Sequence, residues 1–307
     1  MTTPDIATLR GRGAEFGALT FPRYRPMLES GSDSRIAVGA RLDGRPVGLA
    51  LALWEPDSPQ VRLLSLMVAP ELRCRGIGSR ILRRCEDLAA ATGRPRLATY
   101  FSSILPDAGA FAATLAKTGW SAPALLELRC AVRAGETATA IAGWPGMERR
   151  LASRDDVAFT PWNECVSADL ARIADLAGAA DCPPGLTPTH CATEIDPEES
   201  FVLRQGGEVV GWILARLDRD AGDDPPGAPT LFISAAYIRR DLWRSGLLVL
   251  AYHFMACRHV ARFGSDAPAR FSTSPKYPGM MALIRRRFAP AAVWVDEWLE
   301  AGKQLDG

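Results

Sequence analysis

Lysine and histidine are scarce in this chain, long apolar runs are missing, and neither sign of charge dominates. Lysine occurs only at Lys117, Lys276 and Lys303 while arginine is plentiful, which together with abundant alanine reads as a coding bias, not a functional signal. A net charge of +1 removes the electrostatic case for nucleic acid or an anionic membrane as partner. No stretch approaches the roughly 20 apolar residues of a spanning helix. The start, MTTPDIATLRGRG, lacks an apolar segment of secretory length, so the expected location is the cytoplasm. Cysteines stand at Cys74, Cys85, Cys130, Cys165, Cys182, Cys191 and Cys257 with no C-x-x-C pair, which fits reduced thiols. Cys182, His190 and Cys191 come nearest to a ligand set, but they flank a loop and no fourth ligand is spaced for zinc; no metal is expected.

What the chain does have is a strand, a basic glycine turn and an amphipathic helix in succession, LLSLMVAPELRCRGIGSRIL from Leu63 to Leu82. Leu63, Leu64, Leu66, Met67 and Val68 form an apolar run ended by Pro70, and Ile77, Ile81, Leu82, Cys85 and Leu88 then recur at helical spacing. Arg73, Arg75, Gly76 and Gly78 lie between. The first N–H groups of a helix have no internal partner and its dipole favours an anion there, so the junction suits a phosphate chain. Gly76 and Gly78 present no Cβ to block a pyrophosphate, and Arg73 and Arg75 add charge and planar donors. It is neither a Walker loop, because no Gly-Lys-Ser/Thr follows, nor a G-x-G-x-x-G dinucleotide fingerprint.

As V-x-P-x-x-R-x-x-G-I-G, the segment Val68 to Gly78 resembles the acyl-CoA signature of the GNAT superfamily of N-acyltransferases. The pattern around it occurs twice. IAVGARLDGRPVGLALALW is a strand, an Asp43-Gly44 turn and a second strand, and FVLRQGGEVVGWILARL repeats it with Gly206-Gly207; Gly211 answers to Gly48 at an offset of 211 − 48 = 163. The next strand, turn and helix, LFISAAYIRRDLWRSGLLVLAYHFMACRHVARFG, puts Gly246 opposite Gly76 at 246 − 76 = 170. The difference falls in the loop RDAGDDPPGAP, where an insertion costs little.

The chain is therefore similar to tandem GNAT proteins. The expected fold is α/β (α+β): two GNAT-like domains, each a mixed, mostly antiparallel twisted sheet flanked by helices. At 307 residues two domains of about 150 each are expected. They are placed at residues 1–135 and 150–307, with 136–149 as a linker inside a segment rich in Ala, Gly and Thr that has no clear amphipathic period. The residues before the first hairpin can supply a helix over Asp5–Leu19 and another turn or helix over Phe21–Leu28. No first strand is evident there; it is missing or comes from elsewhere in the chain.

Only the first copy is expected to bind acyl-CoA. Opposite Val68, Pro70, Arg73, Gly76 and Gly78 stand Ile238, Arg240, Trp243, Gly246 and Leu248, so a cationic donor and one close-approach glycine are lost. The resemblance implies acetyl-CoA or another acyl-CoA as co-substrate, a small-molecule or peptide amine as acceptor, and direct attack on the thioester. Binding falls to the backbone of Leu66, Met67 and Val68 and to Arg73, Cys74, Arg75, Gly76, Ile77, Gly78 and Ser79. The tyrosine that the family often places four residues before a Gly-Phe is Leu115 here, before Gly119-Trp120, and its Asn position is Ala108. Replacement hydroxyls are Tyr100 first, then Ser102 or Ser103; acidic candidates for a base are Glu55 and Glu127. The histidines, His190, His253 and His259, all lie in the second copy. Besides the acyltransferase, two readings stay open: a noncatalytic CoA binder or scaffold, and a GNAT-fold acyl-carrier-protein transferase or decarboxylase.

Overall fold

The computed structural model describes residues 3–30, 32–152, 156–219 and 228–305. In chain order the strands are β1 (Asp5–Thr8), β2 (Arg35–Leu42), β3 (Arg45–Leu53), β4 (Gln60–Val68), β5 (Arg96–Ser102), β6 (Ala124–Arg133), β7 (Val157–Pro161), β8 (Phe201–Gln205), β9 (Glu208–Asp218), β10 (Thr230–Ile238), β11 (Pro268–Thr273) and β12 (Ala292–Gln304). The helices are α1 (Ile77–Ala90), α2 (Ala108–Lys117), α3 (Ala134–Ala142), α4 (Met147–Ala152), α5 (Ser167–Gly178), α6 (Leu247–Phe263) and α7 (Pro278–Leu283). Two compact units result, 1–126 with 297–307, and 127–296.

In the first unit the strands run β1-β2-β3-β4-β5 and then the Trp298–Gln304 part of β12, with neighbours antiparallel except the parallel pair β4/β5. Asp43 and Gly44 both take positive φ, 50° and 79°, the geometry of a two-residue hairpin turn whose twist matches the strands. Helix α1 buries Ile77, Ile81, Leu82, Cys85 and Ala89 against one face of this sheet, on Val38, Ala50, Ala52 and Leu63. The other face carries Leu9, Phe16, Leu19 and Leu28 from the N-terminal turns, packed on Leu49 and Leu51. The second unit repeats the plan. Its order is β7-β8-β9-β10-β11 and then the Leu128–Arg133 part of β6, again with one parallel pair, β10/β11. Gly206 and Gly207 turn the hairpin at φ 57° and 82°.

Three sequence expectations are corrected. Asp5–Thr8 is a strand, not a helix: it pairs antiparallel with β2, Asp5 opposite Arg41 and Thr8 opposite Val38, and four residues followed by Gly11 and Gly13 are too few to nucleate a helix. What comes from elsewhere in the chain is the strand beside β5, contributed by the C-terminus. The expected linker 136–149 lies largely in α3 and α4. Alanine is the strongest helix former, and Ala134, Thr137 and Ile141 are buried at helical spacing, a stripe of small residues that hydropathy contrast does not reveal. The units divide accordingly at 126/127, not at a linker. Of the insertion loop, residues 220–227 lie outside the described residues.

None of the seven cysteines is in a disulfide. Cys182 and Cys191 are buried in an apolar cluster with Trp212 and Tyr237, and His190 is exposed. Among the described residues no group of three His, Cys, Asp or Glu side chains could hold a metal ion, and no helix is long and apolar enough to cross a membrane.

Candidate acyl-CoA site

Strand β4 does not follow β5 to its end. The two pair only from Gln60/Arg96 to Leu63/Thr99. Next comes a bulge at Leu64, which has no partner between the pairs Ala52/Leu63 and Leu51/Ser65, and a bulge bends its strand. Thr99 Oγ closes the vertex by donating to the Leu63 carbonyl at 3.0 Å. Beyond it, β5 continues with β12 while Ser65–Val68 keep only β3, so that edge of β4 is unpaired. The Ala69 N–H is held by the Val47 carbonyl at 2.9 Å; by the alternation of a strand, Met67 and Ser65 also point their backbone groups at β3, and Leu66 and Val68 point theirs into the gap. Of the three residues expected to act by backbone, Leu66 and Val68 face the gap.

The turn that follows is wound to expose amides. Cys74 takes φ 59° and Gly76 φ 76°, and the first helical bond runs from Arg80 N–H to the Gly76 carbonyl at 3.1 Å. The N–H groups of Ile77, Gly78 and Ser79 therefore have no carbonyl behind them in α1. A Cβ at Gly76 would meet nothing within 4 Å, so the space before the helix is open; at Gly78 it would touch Val68 Cγ2 at 3.5 Å. Conformation, not crowding, demands glycine at position 76. This cradle fits a pyrophosphate. Cys85, two turns into the helix, is fully buried, and burial and then the charge of Glu86 push its thiol up to about 12.

The side chains are arranged differently from expectation. Arg73 donates from Nε to the Val68 carbonyl at 3.2 Å and from Nη1 to Asp107 Oδ1 at 2.9 Å. Asp107, directly before α2, was not singled out in the sequence, although its place one residue before Ala108 is a signal. Tyr100 stands one residue past the last β4/β5 pair, but its side chain turns back from the gap. Its hydroxyl accepts from Gln60 Nε2 at 3.3 Å and donates to Glu300 Oε1 at 3.5 Å, and Gln60 begins β4, about 20 Å of strand from Leu66. Glu55 follows β3 at that same far end, where Leu53 pairs with Arg62, and it is exposed. Glu127 belongs to the second unit and bonds Arg129 and Ser272. Ser102 and Ser103, where β5 ends, are at the open end of the parallel pair; Ser102 Oγ accepts the Ile104 N–H at 3.3 Å and Ser103 Oγ that of Glu297 at 2.9 Å. Leu115 is fully buried. The turn Pro22–Leu28 brings Tyr24 and Met27 onto the apolar cluster that Met67 also joins, a lining the sequence did not suggest.

The second unit keeps the strand geometry and closes the turn. β10 pairs with β11 only over Leu231–Ile233, with the bulge now at Ser234. At the turn, Ser245 N–H is bonded to the Leu242 carbonyl at 2.9 Å and Leu247 N–H to Ser245 Oγ at 3.1 Å. A Cβ at Gly246 would lie 2.8 Å from Arg150 Nε. Amides that the first copy leaves open are used, and a guanidinium fills the space before the helix.

Comparison with known proteins agrees with this geometry. Residues 8–109 match the model of the acetyltransferase (GNAT) family. A tandem GNAT protein from the clavulanic acid biosynthesis pathway, solved without AcCoA, superimposes with TM-score 0.54 over 99% of each chain at 13% identity. A GCN5-related N-acetyltransferase from Sphaerobacter thermophilus gives 0.52 over 99% of this chain and 96% of its own at 15% identity. A glucosamine N-acetyltransferase region of a fungal multi-domain GH3 β-N-acetylglucosaminidase gives 0.53 over 98% of this chain and 38% of its own, at 10% identity. No curated protein matches the chain in sequence.

Proposed function

Given a fold like that of tandem GNAT proteins and a match of residues 8–109 to the GNAT acetyltransferase model, we propose that the chain is an acyl-CoA-dependent N-acyltransferase, using acetyl-CoA, with its working site in the first unit. One observation carries the reading: strand ends part in both units, yet the turn after β4 leaves the space before its helix open, whereas in the second turn the Leu247 amide is taken by Ser245 and Arg150 stands in that space. Diphosphate oxygens would take the N–H groups of Ile77, Gly78 and Ser79. The pantetheine arm would lie in the gap along Leu66 and Val68, pairing with the backbone groups of Leu66 and the Val68 N–H as a strand would, the Val68 carbonyl being held by Arg73.

In the reaction a neutral amine attacks the thioester carbonyl, a C–N bond forms, the C–S bond breaks, and the departing thiolate gains the proton that the amine gives up. A backbone N–H in the gap stabilises the oxygen as charge develops on it. The Tyr100 hydroxyl is turned back to Gln60 and Glu300, and Glu55 lies past the far end of β4, so neither is given a part in this. Ser102 and Ser103 carry the hydroxyls at the open end, and the proton otherwise passes through water. The acceptor, a small-molecule or peptide amine, would approach over the Met67 face, where Tyr24 and Met27 make the lining apolar.

Native mass spectrometry with acetyl-CoA, followed by thiol release over a panel of amines, tests the reading. One equivalent per chain with thiol release is expected. Two equivalents of like affinity would mean that the second turn is open after all, and none would refute the site. One equivalent without thiol release from any amine would favour a noncatalytic binder, a reading to which the burial of Leu115 and the turned-back Tyr100 hydroxyl lend weight.

A further inference from the structure

Trp243 Nε1 donates to the Ile238 carbonyl at 3.0 Å, as Arg73 Nε donates to the Val68 carbonyl at 3.2 Å. Donors and acceptors are separated by the same repeat offset, 243 − 73 = 170 and 238 − 68 = 170. One donor is cationic and the other neutral, in a turn that is open in the first unit and closed in the second. What they share is a planar N–H aimed at the last carbonyl of a strand that has left its neighbour. That carbonyl faces the gap without a ladder partner, and a backbone acceptor in such a place requires a donor. In the first unit the guanidinium has a second commitment. Nη1 is bonded to Asp107, whose carboxylate offsets the charge a phosphate would otherwise meet.

We infer that Arg73 is a positioning residue that holds the splayed end of β4, with Asp107 as its anchor at the start of α2, and that its main contribution is not to the phosphates. By fixing Val68 it also fixes the direction of Leu66, two residues back on the same edge, and so the groups that the pantetheine arm would meet. The binding part of this inference rests on the acyl-CoA reading above; the strut itself does not.

The test compares Arg73→Ala with Arg73→Trp, which copies the second unit, and with Arg73→Gln as a smaller neutral donor should the indole fail to fit. Affinities are measured for acetyl-CoA and for S-acetylpantetheine, which lacks the diphosphate. Arg73→Ala should weaken both by a similar factor, about threefold to tenfold for one hydrogen bond. Arg73→Trp or Arg73→Gln should recover most of that loss without any charge, and Asp107→Asn should fall between wild type and Arg73→Ala. A loss confined to acetyl-CoA, steepening at low salt and not rescued by either neutral donor, would overturn the inference and make Arg73 a phosphate ligand. Amide hydrogen exchange without ligand separates the two claims. Faster exchange at Leu66–Ala69 in Arg73→Ala, restored in Arg73→Trp, supports the strut even if the wild type binds no acetyl-CoA, whereas unchanged exchange refutes it.

Discussion

Replacing Lys303 by methionine should destabilise the first unit although the residue lies near the end of the chain, far in sequence from what it holds. Glu86, on the buried face of α1, is only 6% exposed. Its Oε1 accepts from Trp120 Nε1 at 2.7 Å and its Oε2 from Lys303 Nζ at 2.6 Å, while the same ammonium reaches the Thr118 carbonyl at 2.7 Å. The methionine would cover the same apolar surface and strand a buried carboxylate with one donor. Removing one partner of a fully buried pair costs roughly 3–5 kcal/mol. The Lys303 side chain is 28% exposed, so water reaches part of the site, and about 2–3 kcal/mol is expected. Urea denaturation measures the loss, and amide exchange localises it to α1. Adding Glu86→Gln should recover at least about 1 kcal/mol, because the amide keeps an acceptor for Trp120 and carries no charge to strand. A Lys303→Met protein within about 0.5 kcal/mol of wild type, or a double variant no more stable than the single one, would refute the reasoning.

The repeat-related glycines make a paired test: Gly211→Ala puts a Cβ 2.3 Å from the Tyr237 carbonyl oxygen, which is backbone, while Gly48→Ala meets the flexible tip of Ile81 at 2.5 Å. Gly211→Ala should cost about 2–3 kcal/mol and Gly48→Ala about 1 kcal/mol by chemical denaturation. Gly78→Leu should keep the fold and lower acetyl-CoA affinity more than tenfold by calorimetry, whereas Gly76→Val, forced to φ 76° with a β-branched side chain, should lower the melting temperature as well. His259 is fully buried and bonds the Pro268 carbonyl at 3.1 Å, so Nε2 carries a hydrogen. Burial holds its pKa below the usual 6.5 against two backbone hydrogen bonds that raise it. The folded state thus resists a proton that the unfolded chain accepts below about pH 6.5, so stability present above that pH should fall as pH drops; in His259→Gln the part of the slope due to this residue should vanish from denaturation curves between pH 7 and 5.

Much of each unit was legible because its signals are local. Positive φ at Asp43-Gly44 and Gly206-Gly207 and the spacing of Ile77, Ile81 and Cys85 depend on residues a few positions apart, and the repeat is legible because the same local patterns recur. The cradle was legible for the same reason, since Gly76, Gly78 and the free amides follow from one strand-to-helix junction. Strand β1 was not, because four residues without alternation carry little pattern and only pairing with β2 makes them a strand. Helix α3 was missed where small residues blur the period.

The sequence alone determined the repeated strand, turn and helix, the glycine junction and the loss of its features in the second copy, because backbone preference and periodicity act over a turn or two of chain. Only tertiary structure decided that Trp298–Gln304 completes the sheet beside β5, that Tyr100 turns to Gln60 and Glu300, that Arg73 spans Val68 and Asp107, and that Arg150 occupies the space before Gly246. Each of these joins residues distant along the chain, or selects one of several partners a long side chain can reach. That selection comes from burial and hydrogen-bond satisfaction across the assembled sheet, which no short window of sequence contains.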